Sequence, residues 1–154
     1  MANSQYLIPR VESVRALIKA PASLTMRFAN GETGRVDLSE LLRGKRALAK
    51  LRDAETFRGA KPSEHGFGVV WTGGIEIGAD TLYWLYRRQN GLWDAADELH
   101  TWRVNHGLSL DSAADELGVS RRMLSYYEAR KWPVPKTVSL ALAGWDAQHN
   151  RLAV

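Results

Sequence analysis

The chain has 154 residues, enough for one or two small domains, and its 45% apolar and 25% charged residues are the balance of an ordinary globular protein. That balance excludes a disordered tail, and with no cysteine and no run of about 18 apolar residues the sequence offers no disulfide, thiolate chemistry or membrane span. Net charge is +4, which fits a polyanionic partner.

Val11 to Ile18 alternates, with Val14, Ala16 and Ile18 on one face, which predicts a strand ending at Pro21. Leu24, Met26 and Phe28 alternate with Thr25 and Arg27 in a second strand. Asn30-Gly31, a dipeptide tolerant of positive φ, predicts the hairpin turn into a third strand over Thr33 to Asp37. Leu38-Ser39-Glu40-Leu41-Leu42 reads as a short helical turn. Further strands are expected at Phe57–Ala60 and Gly68–Trp71, with Gly73-Gly74 turning the chain towards Ile75–Ile77. Asp80 is placed to cap a helix over Thr81 to Arg88, which Asn90-Gly91 would end.

A new helix start follows at Asp94, with Asp97 three residues on and then Leu99 and Trp102. The boundary is therefore placed at residues 89–93, and the fold class is α+β: a small mixed α+β domain over 1–91, then an all-α helix-turn-helix domain over 92–154. Three helices open the second domain. The first runs 95–106 and stops at His106-Gly107; the second, 110–117, is capped by Ser109 and ended by Gly118; the third, 121–130, is capped by Ser120 and ends before Pro133 and Pro135. Two short helices joined by a glycine-containing turn form a helix-turn-helix unit, with Ala114, Leu117, Val119 and Leu124 packing between them and the small Ala113-Ala114 pair allowing close approach.

Charge is sharply polarised here. Residues 92–119 carry one Arg and six acids, whereas residues 120–136 carry five basic groups and a single Glu. Periodicity in the third helix places Leu124, Tyr127 and Glu128 on one side, and Arg121, Arg122, Ser125 and Tyr126 on the other. Two guanidiniums in the first turn oppose the positive end of the helix dipole, a conflict that an anion would relieve. DNA supplies one, and arginine can donate two hydrogen bonds to guanine O6 and N7 in the major groove.

Gly107-Leu108-Ser109, Ala114, Leu117-Gly118-Val119-Ser120, Leu124-Ser125 and Glu128 resemble the helix-turn-helix pattern of phage-repressor-like (XRE/Cro-type) DNA-binding domains over about residues 95–145. The resemblance implies that Arg121, Arg122 and Tyr126 contact bases, with Ser125 on the same face, and that Ser120 touches phosphate. It also implies a structural salt bridge between Arg103 and Glu128. Where that family has Gln at the start of the second helix, packing on the recognition helix and touching phosphate, this chain has Leu110. In the first half, Pro9-Arg10-Val11-Glu12-Ser13-Val14, Val36-Asp37-Leu38 to Leu42, and Asp80-Thr81-Leu82-Tyr83 resemble domain of unknown function 2442. That resemblance implies an α+β fold with no established chemistry, and its members' frequent toxin-like neighbours permit an antitoxin reading.

Arg130, Lys131 and Lys136, around the loop after the third helix, are candidates for phosphate contacts, and Trp132 reads as a packing residue. Arg43, Lys45, Arg46, Lys50 and Arg52 form the densest basic run, either a solvated face or an accessory patch for flanking DNA or an acidic protein. His65-Gly66-Phe67-Gly68 and Thr72-Gly73-Gly74 lack phosphate-loop spacing and read as turns. His65, His100, His106 and His149 lack the helical spacing of metal ligands, and no nucleophile–base signature is present. Neither a metal, a cofactor nor a catalytic residue is expected.

The expected function is that of a transcriptional regulator, a repressor, bound to double-stranded DNA as a homodimer because one short module buries too little surface. The opening Met1-Ala2-Asn3-Ser4-Gln5 lacks the pattern of a secretory leader, so a cytoplasmic location is expected. The first domain would supply dimerisation, partner binding or ligand sensing. The alternative is an antitoxin-type interaction module that masks a protein partner through that domain and autoregulates through the helix-turn-helix. A small hydrolase or nuclease ranks third.

Overall fold

The structure, a computed structural model, describes residues 8–17 and 22–152. They fall into two compact units, Ile8–Leu92 and the residues from Trp93 onward.

The first unit holds two three-stranded antiparallel sheets. One has the order β1 (Val11–Ala16), β2 (Ser23–Phe28), β3 (Thr33–Asp37); the other β4 (Lys61–Pro62), β5 (Gly68–Trp71), β6 (Ile75–Gly78). Between the sheets in sequence come α1 (Ser39–Gly44), a 3₁₀ turn (Arg46–Arg52) and α2 (Ala54–Arg58), and α3 (Ala79–Gln89) follows β6. Alternation in β2 buries Leu24, Met26 and Phe28, and the Phe28 ring meets Tyr83 and Tyr86 of α3 at 5.1 and 5.2 Å between centroids. A register shift between Val11 and Ser13 lets Val11, three residues from Val14, share one core with it. The strand stops at Ala16; the predicted Ile18 and Pro21 lie outside the described residues.

The expected hairpin joins β2 to β3; in its turn Gly31 is left-handed (φ +91°) and the Asn30 Oδ1 accepts the Glu32 N–H at 3.0 Å. Two local expectations are corrected. Phe57–Ala60 is not a strand, because the Asp53 carboxylate accepts the Thr56 N–H and caps α2, and Phe57 enters the core from a helix. Asp80 does not cap α3. Gly78 holds that position, and Asp80 lies in the first turn accepting the Thr81 N–H at 2.8 Å.

The second unit is helical: α4 (Ala95–Asn105), α5 (Leu110–Leu117), α6 (Arg121–Glu128) and α7 (Lys136–Leu152). Leu99, Trp102, Leu110, Ala113, Ala114, Leu124, Tyr127, Val138 and Leu142 form its core. Asp94 and Asp97 make a reciprocal capping box at α4, and Ser109 and Ser120 cap α5 and α6. α6 ends two residues before its expected end, because Arg130 takes a left-handed φ of +59°. Trp132 is 54% exposed and is not a packing residue. Among the described residues, no helix is long and apolar enough to cross a membrane.

Candidate nucleic-acid interface

The start of α6 is fixed by the turn before it. Gly118 is left-handed (φ +70°), its N–H donates to the Asp115 carbonyl and the Val119 N–H donates to Ala114, so α5 closes in one step. The Ser120 hydroxyl then accepts the Met123 N–H at 3.1 Å and opens α6. With Leu124 and Tyr127 buried, Arg121, Arg122, Ser125 and Tyr126 occupy the other side of the helix.

These four are not equivalent. Arg122 Nε donates to the Tyr126 hydroxyl at 2.7 Å, and its guanidinium lies 5.4 Å from that ring's centroid. The Lys131 ammonium lies 4.4 Å from the same centroid, so one aromatic ring carries two cations. Hydrogen bonding from Arg122 holds the Tyr126 hydroxyl below its ordinary pKa. Arg121, with half of its side chain exposed, has Nε 3.5 Å from the still more exposed Asp111 carboxylate. A pair so open to water is worth little, and a stronger anion can displace it. Ser125 is half-buried, and Ser120, Lys131 and Lys136 are exposed.

Beneath this face the helix is locked. Arg103 Nε donates to Glu128 Oε1 at 2.8 Å, and His100 Nδ1 lies 3.0 Å from the same oxygen. Arg103 also donates to the Leu108 carbonyl at 3.0 Å, tying α4 to the segment before α5. Burial disfavours the Glu128 carboxylate, but its contacts with His100 and Arg103 outweigh this and hold its pKa below the ordinary value. His100 is absent from the sequence-derived site; the available signal is its i, i+3 spacing to Arg103 on α4.

Arg130, expected among the phosphate contacts, is engaged within the protein. Its guanidinium grips Asp94 through Nε and Nη2, each at 3.1 Å, and Nη2 reaches Asp97 at 2.8 Å. The side chain is thereby committed to acids of the second unit itself. Leu110 is buried in the helical core, leaving no polar group at the position where the resembled family carries Gln. Arg43, Lys45, Arg46, Lys50 and Arg52 belong to α1 and the 3₁₀ turn of the first unit and the residue between them. No group of three or more acids and histidines among the described residues is placed to hold a metal ion.

Residues 12–87 match a family described as Protein of unknown function (DUF2442). The match covers about half of the chain, its N-terminal part. The DUF2442 region thus contains the basic run, and α4 to α7 lie beyond it. The chain is also similar to a solved structure, that of a putative DNA binding protein from Nitrosomonas europaea. Identity is 34% and the TM-score 0.66, over 92% of this chain and 89% of the other. No curated protein matches the chain.

Proposed function

We propose that the helical unit binds double-stranded DNA in a sequence-specific manner and that the protein is a transcriptional repressor acting as a homodimer. In this reading α6 lies in the major groove, where Arg121, Arg122, Ser125 and Tyr126 read base edges. Ser120, Lys131 and Lys136 contact phosphates. The observation that carries the reading is the two-sidedness of α6: its inner face is locked by Leu124, Tyr127 and Glu128, and its other side carries the exposed Arg121 and Arg122 with Ser125 and Tyr126. A helix held this firmly loses little further freedom on binding, so its contacts are realised as affinity. The hydrogen bond to Tyr126 restrains the Arg122 fork in advance. Likeness to a protein named for DNA binding supports the same reading.

One helix of eight residues reads only a few base pairs, so tight binding calls for two copies on a two-fold site, with half-sites about 10 bp apart. Selection of bound duplexes from random DNA by the full chain tests this. An inverted repeat at that spacing is expected, and recovery of no shared motif would overturn the reading.

A further inference from the structure

The basic run of the DUF2442 region plays no part in the reading above, and it borders a cavity. Leu42 of α1 (3% exposed), Leu51 of the 3₁₀ turn (2%) and Phe57 of α2 (5%) form an apolar floor. Arg43, Arg52 and Arg58 stand around it, all exposed, and among the described residues lining it none is acidic. Its volume is about 390 Å³, within the roughly 300–1,000 Å³ of small-molecule sites. Arg52 is fixed at the wall by donating to the Leu42 carbonyl at 3.1 Å. Among the described residues, none of the three guanidiniums is in a salt bridge. The neighbouring Asp53 carboxylate is engaged with the N–H and hydroxyl of Thr56.

An apolar floor beneath three guanidiniums matches one kind of molecule, with an apolar body and an anionic head. We infer that this cavity binds a small amphipathic carboxylate, aliphatic or aromatic. The body leaves water by packing against the floor of Leu42, Leu51 and Phe57, and the carboxylate accepts charge-assisted hydrogen bonds from the arginine forks. A polyanion such as DNA or an acidic peptide would engage the cations and leave the concave apolar floor unused. The inference stands independently of DNA binding.

Octanoate and 2-naphthoate serve as probes of the full chain, with octan-1-ol as the uncharged control. Titration calorimetry and amide chemical shifts are the readouts, in the absence of DNA. Both carboxylates should bind and shift the resonances of Leu42, Leu51 and Phe57, and octanol should bind at least about tenfold more weakly. The Arg43→Gln/Arg58→Gln double variant should weaken octanoate by about tenfold with an unchanged melting temperature. Ala54→Trp, which fills the mouth of the cavity, should block it. Binding of neither carboxylate, or octanol binding as tightly as octanoate, would overturn the inference. So would resonances of the cavity that respond to polyglutamate or an oligonucleotide and not to the carboxylates.

Discussion

Arg103 and Glu128 meet across α4 and α6, Nε to Oε1 at 2.8 Å, in a place where solvent reaches neither side chain appreciably. Among the described residues, Arg103 and His100 are the side chains that meet the Glu128 carboxylate, both at Oε1. Removing one member of such a pair strands the other, and Glu128→Ala should lower the unfolding free energy by about 3–5 kcal/mol. Arg103→Met should cost a similar amount, whereas Arg103→Met/Glu128→Leu should cost clearly less than the sum. Urea unfolding of the three variants decides it. Simple additivity would show that the two side chains do not act as a pair.

The same unit should be acid-sensitive in a defined window. Burial opposes ionisation of Asp94, but the hydrogen bonds from Arg130 and from the Asp97 N–H outweigh it and hold the carboxyl at about 2. A carboxyl whose pKa is lower folded than unfolded takes up more protons when the chain unfolds. Its contribution is therefore complete above the ordinary value of 3.8 and is lost as pH falls through the folded value. Glu128 is shifted in the same direction. Stability should fall between about pH 4 and pH 2, and Arg130→Gln should flatten that limb in melts recorded across a pH series. An unchanged slope in the variant would remove Arg130 as the cause.

Arg130 itself occupies a position where glycine is usual. Its φ is +59°, and the Lys131 N–H donates to the Tyr126 carbonyl at 2.9 Å, closing α6 in the way glycine closes α5. A residue with a Cβ is strained there by about 1–2 kcal/mol. The grip on Asp94 and Asp97 offsets that strain, reduced by the one-third exposure of the arginine. Arg130→Ala keeps the strain and loses the grip; Arg130→Gly loses both. The glycine variant should therefore be the more stable of the two by about 1 kcal/mol in thermal unfolding.

The ends of these helices show what is legible in sequence. Gly91, Gly107 and Gly118 all take positive φ at the ends of α3, α4 and α5, and each glycine marks its helix end in advance. α6 stops by the same hydrogen-bonding pattern with no glycine to announce it, because what permits the stop is a contact with acids 36 and 33 residues away. The Ser109 and Ser120 caps, and the division of α6 into an inner and an outer face, follow from local spacing and are readable. The partners of Arg121 and Arg130, and the addition of His100 to Glu128, depend on tertiary approach and are not. Phe57 fails for a related reason: a short apolar run fits strand or helix equally, and the Asp53 cap settles it.

On the proposed function, the outer face of α6 and the loop after it would divide base reading from phosphate holding. Arg122→Ala should cost about 1–3 kcal/mol on the selected site, relax discrimination at one base pair and leave binding to random DNA nearly unchanged. Lys131→Ala should weaken binding to every sequence and lower the salt slope by about one. Tyr126→Phe keeps the ring beside Lys131 and removes the acceptor that restrains Arg122, so its loss on the selected site should be smaller than that of Arg122→Ala. Asp111→Asn should tighten binding, since it frees Arg121 and removes a charge that repels phosphate. Fluorescence anisotropy on the selected and a scrambled duplex across a salt series measures all four. Equal losses on both duplexes for Arg122→Ala would place that guanidinium on the backbone of the DNA and remove it from the base-reading set.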